Sequence, residues 1–384
     1  MRVTHVITRL IVGGAQENTI ASVLGLRKLS GLEVDLVSGP ATGPEGSLES
    51  EFQNCPEVLT IVLELVRPIH PWKDWLALRK LIRFFREGKP DIVHTHSGKA
   101  GVLGRLAASR ARIPMIVHTI HGPSFGTFQG MFANCAFRAA EQRAARVTTH
   151  FVTVADAMRD QYLAADIGRP DQYTRIFSGF SLEPFLNAKN DPQLRAHYGI
   201  KPDELVIGKI ARLFKLKGHE TLFAIAPQLV QACPKIKFLL VGDGEWRKRF
   251  EQMARSSGLT DRFIFTGLVP PSEIPALLGI VDILVHLSER EGLARALPQA
   301  LAAGKPIVAF DCDGAREVCR DGETGFLVRL GHLTGLTQRL LLLARDKPLR
   351  KTLGERGREF VRQNFSLDQM VANLHGLYVK LAGK

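Results

Sequence analysis

The sequence predicts an α/β protein made of two doubly wound domains, each a parallel sheet covered by helices. Short runs rich in Val and Ile alternate with longer segments of helical period along the whole chain, which is typical of parallel sheets covered by helices. The 384 residues exceed one ordinary hydrophobic core and indicate about two domains. The alternation also starts again in the second half, after a polar segment at 184–204.

Strands are predicted where the apolar runs are short. In the first half they fall at 2–8, 33–38, 58–62, 91–95, 114–119, 150–154 and 173–177. In the second half they fall in ELVIGKIA, KIKFLLVG, DRFIFTG, DILVHL and KPIVAF. The segment between the halves, PFLNAKNDPQLRAHYGIKPDE, contains three prolines and two asparagines. It is predicted to be a hinge, which puts the domain boundary near 180–200.

Composition excludes several classes of protein. Hydrophobic residues make up 45% of the chain and charged residues 23%, as in a globular protein. An apolar run of about 18 residues, long enough for a spanning helix, is not found. The start, MRVTHVITRL, lacks the apolar stretch of a signal peptide, so we expect a cytoplasmic protein. The five cysteines are scattered and have no CxxC spacing, which predicts reduced thiols and no zinc site.

The positive charge is concentrated in one segment. The net charge is +13, and residues 67–112 hold eleven Lys or Arg against three acids. Such a surface attracts a phosphate-bearing substrate or an anionic membrane, although a solvated helix face is an equally good explanation. Aromatic residues make up 7% and do not alternate with basic ones, so nucleic acid is not an expected partner.

Ligands of doubly wound sheets collect at the carboxyl ends of the strands, and candidate motifs follow three strands there. Gly13 and Gly14 follow the first strand, where glycine lets backbone approach a ligand; without a GxGxxG pattern, a tight turn is the alternative. HTHSGKAG and HTIHGPSFG follow the fourth and fifth strands. Their clustered histidines favour contact with a sugar hydroxyl or phosphate over a metal, because no acidic or cysteine ligand accompanies them.

Two motifs in the second half carry charge. In ARLFKLKGHE, Arg212 and Lys217 precede a helix predicted near Gly218, an arrangement that binds phosphate; a surface ion pair is the alternative. In EGLARALPQALAAGKP, Pro298 indicates that a helix begins just before it. The N–H groups of residues 292–294 would then lie at the helix start, with Glu291 and Gln299 at opposite ends of one ligand.

In combination these motifs resemble family 4 of the retaining nucleotide-sugar glycosyltransferases, which have the GT-B fold. The resemblance extends over nearly the whole chain and includes LVGDGEWR, FTGLV, GAREV and DGETGFLV. It implies two Rossmann-like domains that face a central cleft. Residues 1–180 would form the acceptor-side domain, 181–365 the donor-binding domain, and 366–384 a helix that crosses back to the first domain.

The resemblance also implies roles for individual residues. The positions that match the family's catalytic residues are His121, Glu291, Arg212 and Lys217. The positions that match its donor-binding residues are Gly13, Gly14, Arg212, Lys217, Gly267, Leu268, Glu291, Gly292, Leu293, Ala294 and Gln299. Among these, the two cations would contact the diphosphate, Gly267 and Leu268 the base, and Glu291 and His121 the sugar. The leaving phosphate would help to deprotonate the acceptor on the same face.

One residue departs from the family's pattern, and one tripeptide resembles a metal-binding motif. Gln299 stands where the family usually has glutamate; its carbonyl still accepts hydrogen bonds from ribose, and the expected loss of donor affinity is about 1 kcal/mol. Asp311-Cys312-Asp313 imitates a DxD metal motif, but GT-B enzymes need no bound metal, and neither a metal nor another cofactor is expected.

The predicted function is metal-independent, retaining transfer of a hexosyl unit from a UDP- or GDP-sugar to a glycan or lipid-linked acceptor. The basic segment favours lipopolysaccharide, capsule or exopolysaccharide assembly at the inner face of the plasma membrane. Two alternatives stay open: a non-catalytic nucleotide-sugar or glycan-binding subunit, and a UDP-N-acetylglucosamine epimerase with the same fold.

Overall fold

The computed structural model describes residues 1–42, 46–96, 98–126 and 128–383. Ser97 of the HTHSGKAG motif and the last residue of the predicted final helix lie outside these ranges. The chain divides into two compact units. The first unit comprises Met1–Phe180 with Leu367–Lys384, and the second unit comprises Ser181–Ser366.

The sheet of the first unit has seven parallel strands in the order β3-β2-β1-β4-β5-β6-β7. They are β1 (Arg2–Ile7), β2 (Glu33–Ser38), β3 (Leu59–Ile61), β4 (Ile92–His96), β5 (Met115–Ile120), β6 (His150–Thr153) and β7 (Tyr173–Arg175). All seven were predicted, with bounds that differ by at most two residues at either end. The order reverses direction beside β1, as in a doubly wound sheet.

Helices cover both faces of this sheet. They are α1 (Gly14–Leu26), α2 (Pro71–Gly88), α3 (Gly98–Arg110), α4 (Met131–Ala145) and α5 (Asp156–Leu163). One hydrophobic cluster joins the sheet to α1, and another joins it to α2 and α3. None of the helices within the described residues is both long and apolar enough to span a membrane.

The sheet of the second unit has six parallel strands in the order β10-β9-β8-β11-β12-β13. They are β8 (Leu205–Ile210), β9 (Ile236–Val241), β10 (Phe263–Gly267), β11 (Ile283–His286), β12 (Ile307–Phe310) and β13 (Gly325–Val328). Five were predicted, whereas β13 was not predicted as a strand. It is a four-residue edge strand that starts at Gly325, where an added Cβ would lie 2.1 Å from the carbonyl oxygen of Ile307.

The predicted hinge at 184–204 is instead a packed part of the second unit. It contains α6 (Glu183–Leu186) and α7 (Pro192–His197). Its buried Arg195 donates hydrogen bonds to the carbonyl oxygens of Ile280, at 3.3 Å, and Glu204, at 2.5 Å. The prolines misled the prediction because two of them start these short helices, a position where proline is favoured.

The other helices of the second unit are α8 (His219–Ala232), α9 (Arg247–Ser256), α10 (Ile274–Ile280), α11 (Ala296–Ala302), α12 (Leu333–Arg345) and α13 (Lys347–Asn364). The last helix, α14 (Leu367–Ala382), belongs to the first unit and packs against α1. Its buried Val371 sits over Gly25 of α1, where an added Cβ would lie 2.4 Å from a Val371 methyl. Glycine at this position therefore sets how closely the two helices approach.

Candidate functional site

The loops that follow β8 and β11 lie side by side in the second unit. Helix α8 begins directly after Gly218, which has a left-handed backbone with φ of 67°. An added Cβ on Gly218 would lie 1.9 Å from the carbonyl oxygen of Leu287. The N–H of Glu289 also donates to the carbonyl oxygen of Leu216 at 2.9 Å. The two motifs predicted to carry charge are therefore joined through their backbones.

Lys217 and Glu291 form an ion pair across these loops. The Lys217 ammonium donates to Oε1 of Glu291, and the Ser288 hydroxyl donates to the same oxygen at 3.3 Å. Both charged side chains are partly buried. Burial raises the pKa of the Glu291 carboxyl, but the charge of Lys217 and these hydrogen bonds outweigh it and leave the pKa below its usual value. Glu291 is therefore ionised at neutral pH.

The segment after Glu291 is a loop, and α11 starts at Ala296, just before Pro298 as predicted. The N–H of Glu291 donates to Asp313 Oδ2 at 2.7 Å, and the Gly292 carbonyl accepts from the Gly314 N–H at 3.1 Å. These bonds hold the loop against residues 313–314. Residues 292–294 thus lie in the loop directly before the N-cap Arg295, so their N–H groups precede the first helical turn.

The loop still offers three consecutive N–H groups. Within the part of the chain that the structure describes, no protein group accepts a hydrogen bond from the N–H of Gly292, Leu293 or Ala294. Gln299 is the fourth residue of α11, and Pro298 stands in its first turn as predicted. The Gln299 side chain is half-buried.

The turn after β9 forms backbone hydrogen bonds both to the residue that follows Arg212 and to Gly267. The Leu213 N–H donates to the Asp243 carbonyl at 3.0 Å, and the Gly242 N–H donates to the Gly267 carbonyl at 3.2 Å. The Leu268 side chain is 56% exposed, so it presents an apolar surface to the solvent. The Arg212 side chain is also exposed. The structure thus brings the predicted phosphate and base contacts to one edge of the second sheet.

The DxD-like tripeptide is engaged by protein groups. Arg316 donates two hydrogen bonds to Asp311, at 3.0 and 2.8 Å. The Cys312 thiol donates to the Glu289 carbonyl at 2.9 Å, and burial raises its pKa to about 12. Together with the bond from Glu291 to Asp313, these contacts make the tripeptide a support for the Glu291 loop, a role that the sequence analysis missed.

Three further side chains behind this site also escaped the sequence analysis. Lys209 of β8, His219 of α8 and His286 of β11 are all buried. Within the described residues, neither the Lys209 ammonium nor the His219 ring has a hydrogen-bond partner. Burial lowers the pKa of Lys209 to about 7. Each looked like an ordinary strand or helix residue in a single sequence, because periodicity does not reveal where a charge is buried.

In the first unit, Gly13 caps α1 and Gly14 is its first residue. The Gly13 backbone is extended, with φ of 170°, so its conformation does not demand glycine. An added Cβ would meet only the end of the flexible Gln16 side chain, at 2.8 Å. A tight turn and a close ligand approach therefore both remain compatible with this pair.

The histidines at the ends of β4 and β5 divide between the two faces of the sheet. His94 and His96 share one face, where His96 Nδ1 lies 3.0 Å from His121 Nε2. His118 lies on the other face, with its Nδ1 2.9 Å from the Thr95 hydroxyl. His5 of β1 completes the first group and was not predicted.

Among the described residues, His5, His94 and His96 form the one group with nitrogen atoms close enough to share a metal, within 4.8 Å of one another. The rings of His5 and His94 each stack on that of His96, at 5.1 and 4.5 Å between ring centres. His5 Nδ1 and His96 Nε2 lie 2.8 Å apart. This geometry fits neutral rings that hydrogen-bond to each other better than rings arranged around an ion.

Two family models match the chain. Residues 190–360 match the model described as glycosyl transferases group 1, and residues 13–178 match the model described as glycosyl transferase 4-like domain. The two matches correspond to the second unit and to most of the first.

The chain is also similar to glycosyltransferases of known sequence, and its fold is similar to that of a solved structure. The chain is 27% identical over 321 residues to UDP-Gal:alpha-D-GlcNAc-diphosphoundecaprenol alpha-1,3-galactosyltransferase of Escherichia coli, covering 83% of this chain and 82% of that one. It is 25% identical over 332 residues to the capsular polysaccharide biosynthesis glycosyltransferase CapM of Staphylococcus aureus, covering 85% and 87%. The structure of Anabaena HepE in complex with UDP-glucose has a TM-score of 0.83 at 23% identity, covering 99% and 100% of the two chains.

Proposed function

Because the chain belongs to the group 1 glycosyl transferases and has the two-domain GT-B fold, we propose that it moves a hexosyl unit from a UDP-sugar to an acceptor hydroxyl with retention of configuration. The observation that carries the proposal is the Lys217–Glu291 pair, held beside three loop N–H groups with no protein acceptor among the described residues. UDP is preferred over GDP because the E. coli relative is named for UDP-galactose.

In this proposal the donor diphosphate competes with Glu291 for Lys217. Negative charge grows on the diphosphate as the sugar leaves, and cations and N–H groups fixed beforehand stabilise it. Lys217 acts as a point charge, while Arg212 can bind two phosphate oxygens at once. The N–H groups of Gly292, Leu293 and Ala294 form a small anion-binding loop of the kind that backbone amides make.

Glu291 and Gln299 have different roles in the proposal. When the Lys217 ammonium contacts the diphosphate, the ionised Glu291 accepts hydrogen bonds from hydroxyls of the transferred sugar. Gln299 accepts from the ribose through its carbonyl, and Leu268 covers the base. Because Arg212, Lys217 and the loop supply the positive charge, the proposed reaction needs no divalent metal, and excess EDTA should leave turnover unchanged.

Removing the two cations tests the proposal. Arg212→Ala combined with Lys217→Ala should lower turnover by about a hundredfold or more, the usual effect of losing preorganised charge at a leaving group, with an unchanged circular dichroism spectrum. The assay measures the UDP that is released from UDP-sugars, and GDP- and ADP-sugars are added as competing donors. A second measurement records the thermal shift that each free nucleotide causes. Sugar transfer by this double variant at the wild-type rate would exclude the site, and a wild-type protein that binds UDP without releasing it from any donor would be a binding subunit.

Glu291→Gln and Gln299→Glu form a matched pair, since each exchanges an amide and a carboxylate. The first should reduce kcat far more than donor affinity, because it removes the charge at the sugar. The second should keep donor affinity or raise it up to about tenfold, because a charged acceptor binds ribose hydroxyls more strongly. Equal losses in both variants would contradict this division of roles.

The proposed acceptor is a lipid-linked or surface glycan at an anionic membrane, as the names of the relatives suggest. Within residues 67–112, Arg105 is buried in an ion pair with Glu141 and Lys99 pairs with Asp74, so these two cations do not belong to the surface. Exposed basic side chains of α2 remain, and they lie beside exposed aromatic ones. The rings of Trp72 and Trp75 stack at 5.0 Å, and Arg79 lies 4.8 Å from the Trp75 ring centre.

A further inference from the structure

Lys209 is a buried basic side chain outside the set of residues assigned to the proposed reaction. It is one of the largest fully buried side chains in the part of the chain that the structure describes. Ile207, two residues earlier on β8, and Leu240, opposite Lys209 on β9, belong to the hydrophobic cluster that joins the second sheet to α8. Because side chains alternate between the faces of a sheet, Lys209 points into this cluster. Its ammonium has no hydrogen-bond partner among the described residues.

Three charged side chains act on the Lys209 ammonium. Lys217 and Glu291 lie in the loops after β8 and β11, beyond the carboxyl end of the strand that bears Lys209. Lys217 opposes a positive charge on Lys209, whereas Glu291 favours it. Glu220 of α8 also favours the charge, but its side chain is partly exposed and lies 3.7 Å from Arg249. Glu291 is therefore the main favourable charge for Lys209.

Two buried imidazoles complete the surroundings of Lys209. Burial lowers the pKa of His219 to about 2 and that of His286 to about 3, so both rings are neutral above pH 7. The His219 ring stacks on that of Phe250, with 4.8 Å between the ring centres. Burial and the charge of Lys217 lower the pKa of Lys209 to about 7. In this group of buried side chains, Lys209 is thus the one whose charge changes between pH 7 and 9.

The charges around Glu291 change when an anion contacts Lys217. In the free protein Lys217 neutralises Glu291, and Lys209 is mostly uncharged above pH 7. A diphosphate that contacts the Lys217 ammonium weakens its pairing with Glu291, and a partly buried carboxylate that loses its partner is costly. The negative charge of the diphosphate also offsets the repulsion between Lys217 and Lys209. Both effects increase the affinity of Lys209 for a proton.

We propose that Lys209 is a positioning residue that binds a proton when the diphosphate of a nucleotide-sugar contacts Lys217, and that its ammonium then replaces Lys217 as the counter-charge of Glu291. The contact with the diphosphate rests on the proposed function, whereas the interaction of Lys209 with Lys217 is a property of the protein alone. The proton comes from the solvent and adds to the lone pair of the Lys209 amine, and no other bond forms or breaks. Lys209 acts on the substrate only through Glu291.

Donor binding is then linked to pH in one direction. The donor-bound protein holds more protons on Lys209 than the free protein, so donor affinity is highest below the free pKa of about 7 and falls as the pH rises above it. The fall approaches about tenfold per pH unit when one full proton is taken up. A lysine with a merely structural role would give no such dependence.

The interaction of Lys209 with Lys217 can be measured without a donor. In protein labelled with ¹³C-lysine, the Cε signal that is lost in Lys209→Met reports the charge of Lys209 as the pH changes. Lys217→Ala should raise the pKa of Lys209, because the repelling charge is removed while Glu291 stays. Adding Glu291→Gln to Lys217→Ala should lower this pKa again. A wild-type Lys209 that is charged at pH 9, or a pKa that Lys217→Ala leaves unchanged, would overturn the inference.

Calorimetry measures the proton that accompanies donor binding. The wild type is titrated with UDP-galactose or UDP-glucose at pH 8, where the diphosphate of these donors does not titrate, in buffers of different ionisation enthalpy. It should take up more than about half a proton per bound donor. Lys209→Met should take up none, should lose the pH dependence of donor affinity and should keep the circular dichroism spectrum of the wild type.

Lys305→Met is the matched control for the calorimetry. Lys305 is a half-buried lysine whose pKa burial lowers to about 8. It donates to the Gly279 carbonyl at 2.8 Å and precedes β12, so it lies at the end of the sheet opposite the site. This variant should keep the proton uptake of the wild type. No uptake in the wild type, or equal uptake in Lys209→Met, would overturn the inference. If neither donor binds, the proposed function fails for these donors, while the titration of Lys217→Ala still decides whether Lys209 responds to Lys217.

Discussion

The surroundings of the buried Lys209 side chain change its pKa strongly. It lies on β8 with 1% of its surface exposed, and its ammonium has no hydrogen-bond partner among the described residues. Burial lowers its pKa to about 7, with Lys217 as the next cause, while nearby Glu291 acts in the opposite direction. A buried polar group without a partner costs about 1–3 kcal/mol of stability.

Lys209→Met should therefore stabilise the protein, and the gain should depend on pH. Between pH 7 and about 10.5 the unfolded lysine binds a proton that the folded lysine has lost, so wild-type stability rises with pH through this range. Methionine does not titrate, so the advantage of the variant is largest at or below pH 7 and shrinks toward pH 10. Urea unfolding at several pH values measures it. Lys235→Met, at an exposed lysine, is the control and should change stability little; an advantage of Lys209→Met that grows with pH would contradict the argument.

The position of a single residue in the fold was predictable from the sequence where the residue follows a strand in a recognisable motif. Arg212, Lys217 and Glu291 fall in such motifs, and the structure places all three at one edge of the second sheet. His5 and Tyr378 could not be found in this way. They are 373 positions apart and meet only because of strand register and the return of α14.

At the scale of elements, α13 controls the position of the helix that bears Gln299. An added Cβ on Gly354 of α13 would lie 2.0 Å from the carbonyl oxygen of Gly304, just after α11. A Cβ on Gly357 would lie 2.5 Å from the Leu301 side chain. Backbone cannot yield as a flexible side chain can, so the contact at Gly354 fixes the distance between the two helices.

Gly354→Ala should cost about 1–3 kcal/mol, as overpacking usually does, and should weaken UDP binding because α11 moves with Gln299. Gly376→Ala is the control, since Gly376 is an exposed residue inside α14 with no atom near an added Cβ. It should raise stability by about 0.5–1 kcal/mol, the ordinary gain when alanine replaces glycine in a helix. Thermal unfolding and UDP titration check both variants, and a Gly354→Ala protein as stable as the wild type would show that α13 is free to shift.

The elements themselves were largely predictable because each buried strand is a short apolar run between turns. The failures have local causes. The β13 strand has four residues and no long helix before it. Prolines that begin α6 and α7 resembled the breaks of a linker.

For the whole molecule, the net charge of +13 and the exposed apolar side chains of the first unit are the basis of the proposed attachment to an anionic membrane. Trp72 and Phe132, at the starts of α2 and α4, are 63% and 84% exposed. Both helices begin at the carboxyl edge of the first sheet, so these side chains share one end of the unit. In the proposed attachment, charge would draw the protein to anionic lipid, and aromatic side chains would then insert among the headgroups.

The wild type should bind vesicles of phosphatidylglycerol and phosphatidylcholine at low salt and leave them at about 0.5 M salt, where screening is strong. Trp72→Ala with Phe132→Ala should weaken binding at low salt, whereas Val379→Ala, an exposed apolar site on α14, should not. Arg79→Glu should weaken it by more than fivefold, since one cation near the surface contributes about 1 kcal/mol. Vesicle sedimentation measures each case. A protein that ignores anionic vesicles at low salt, or whose binding survives high salt unchanged, would have no electrostatic membrane surface, and its acceptor would then have to reach it in solution.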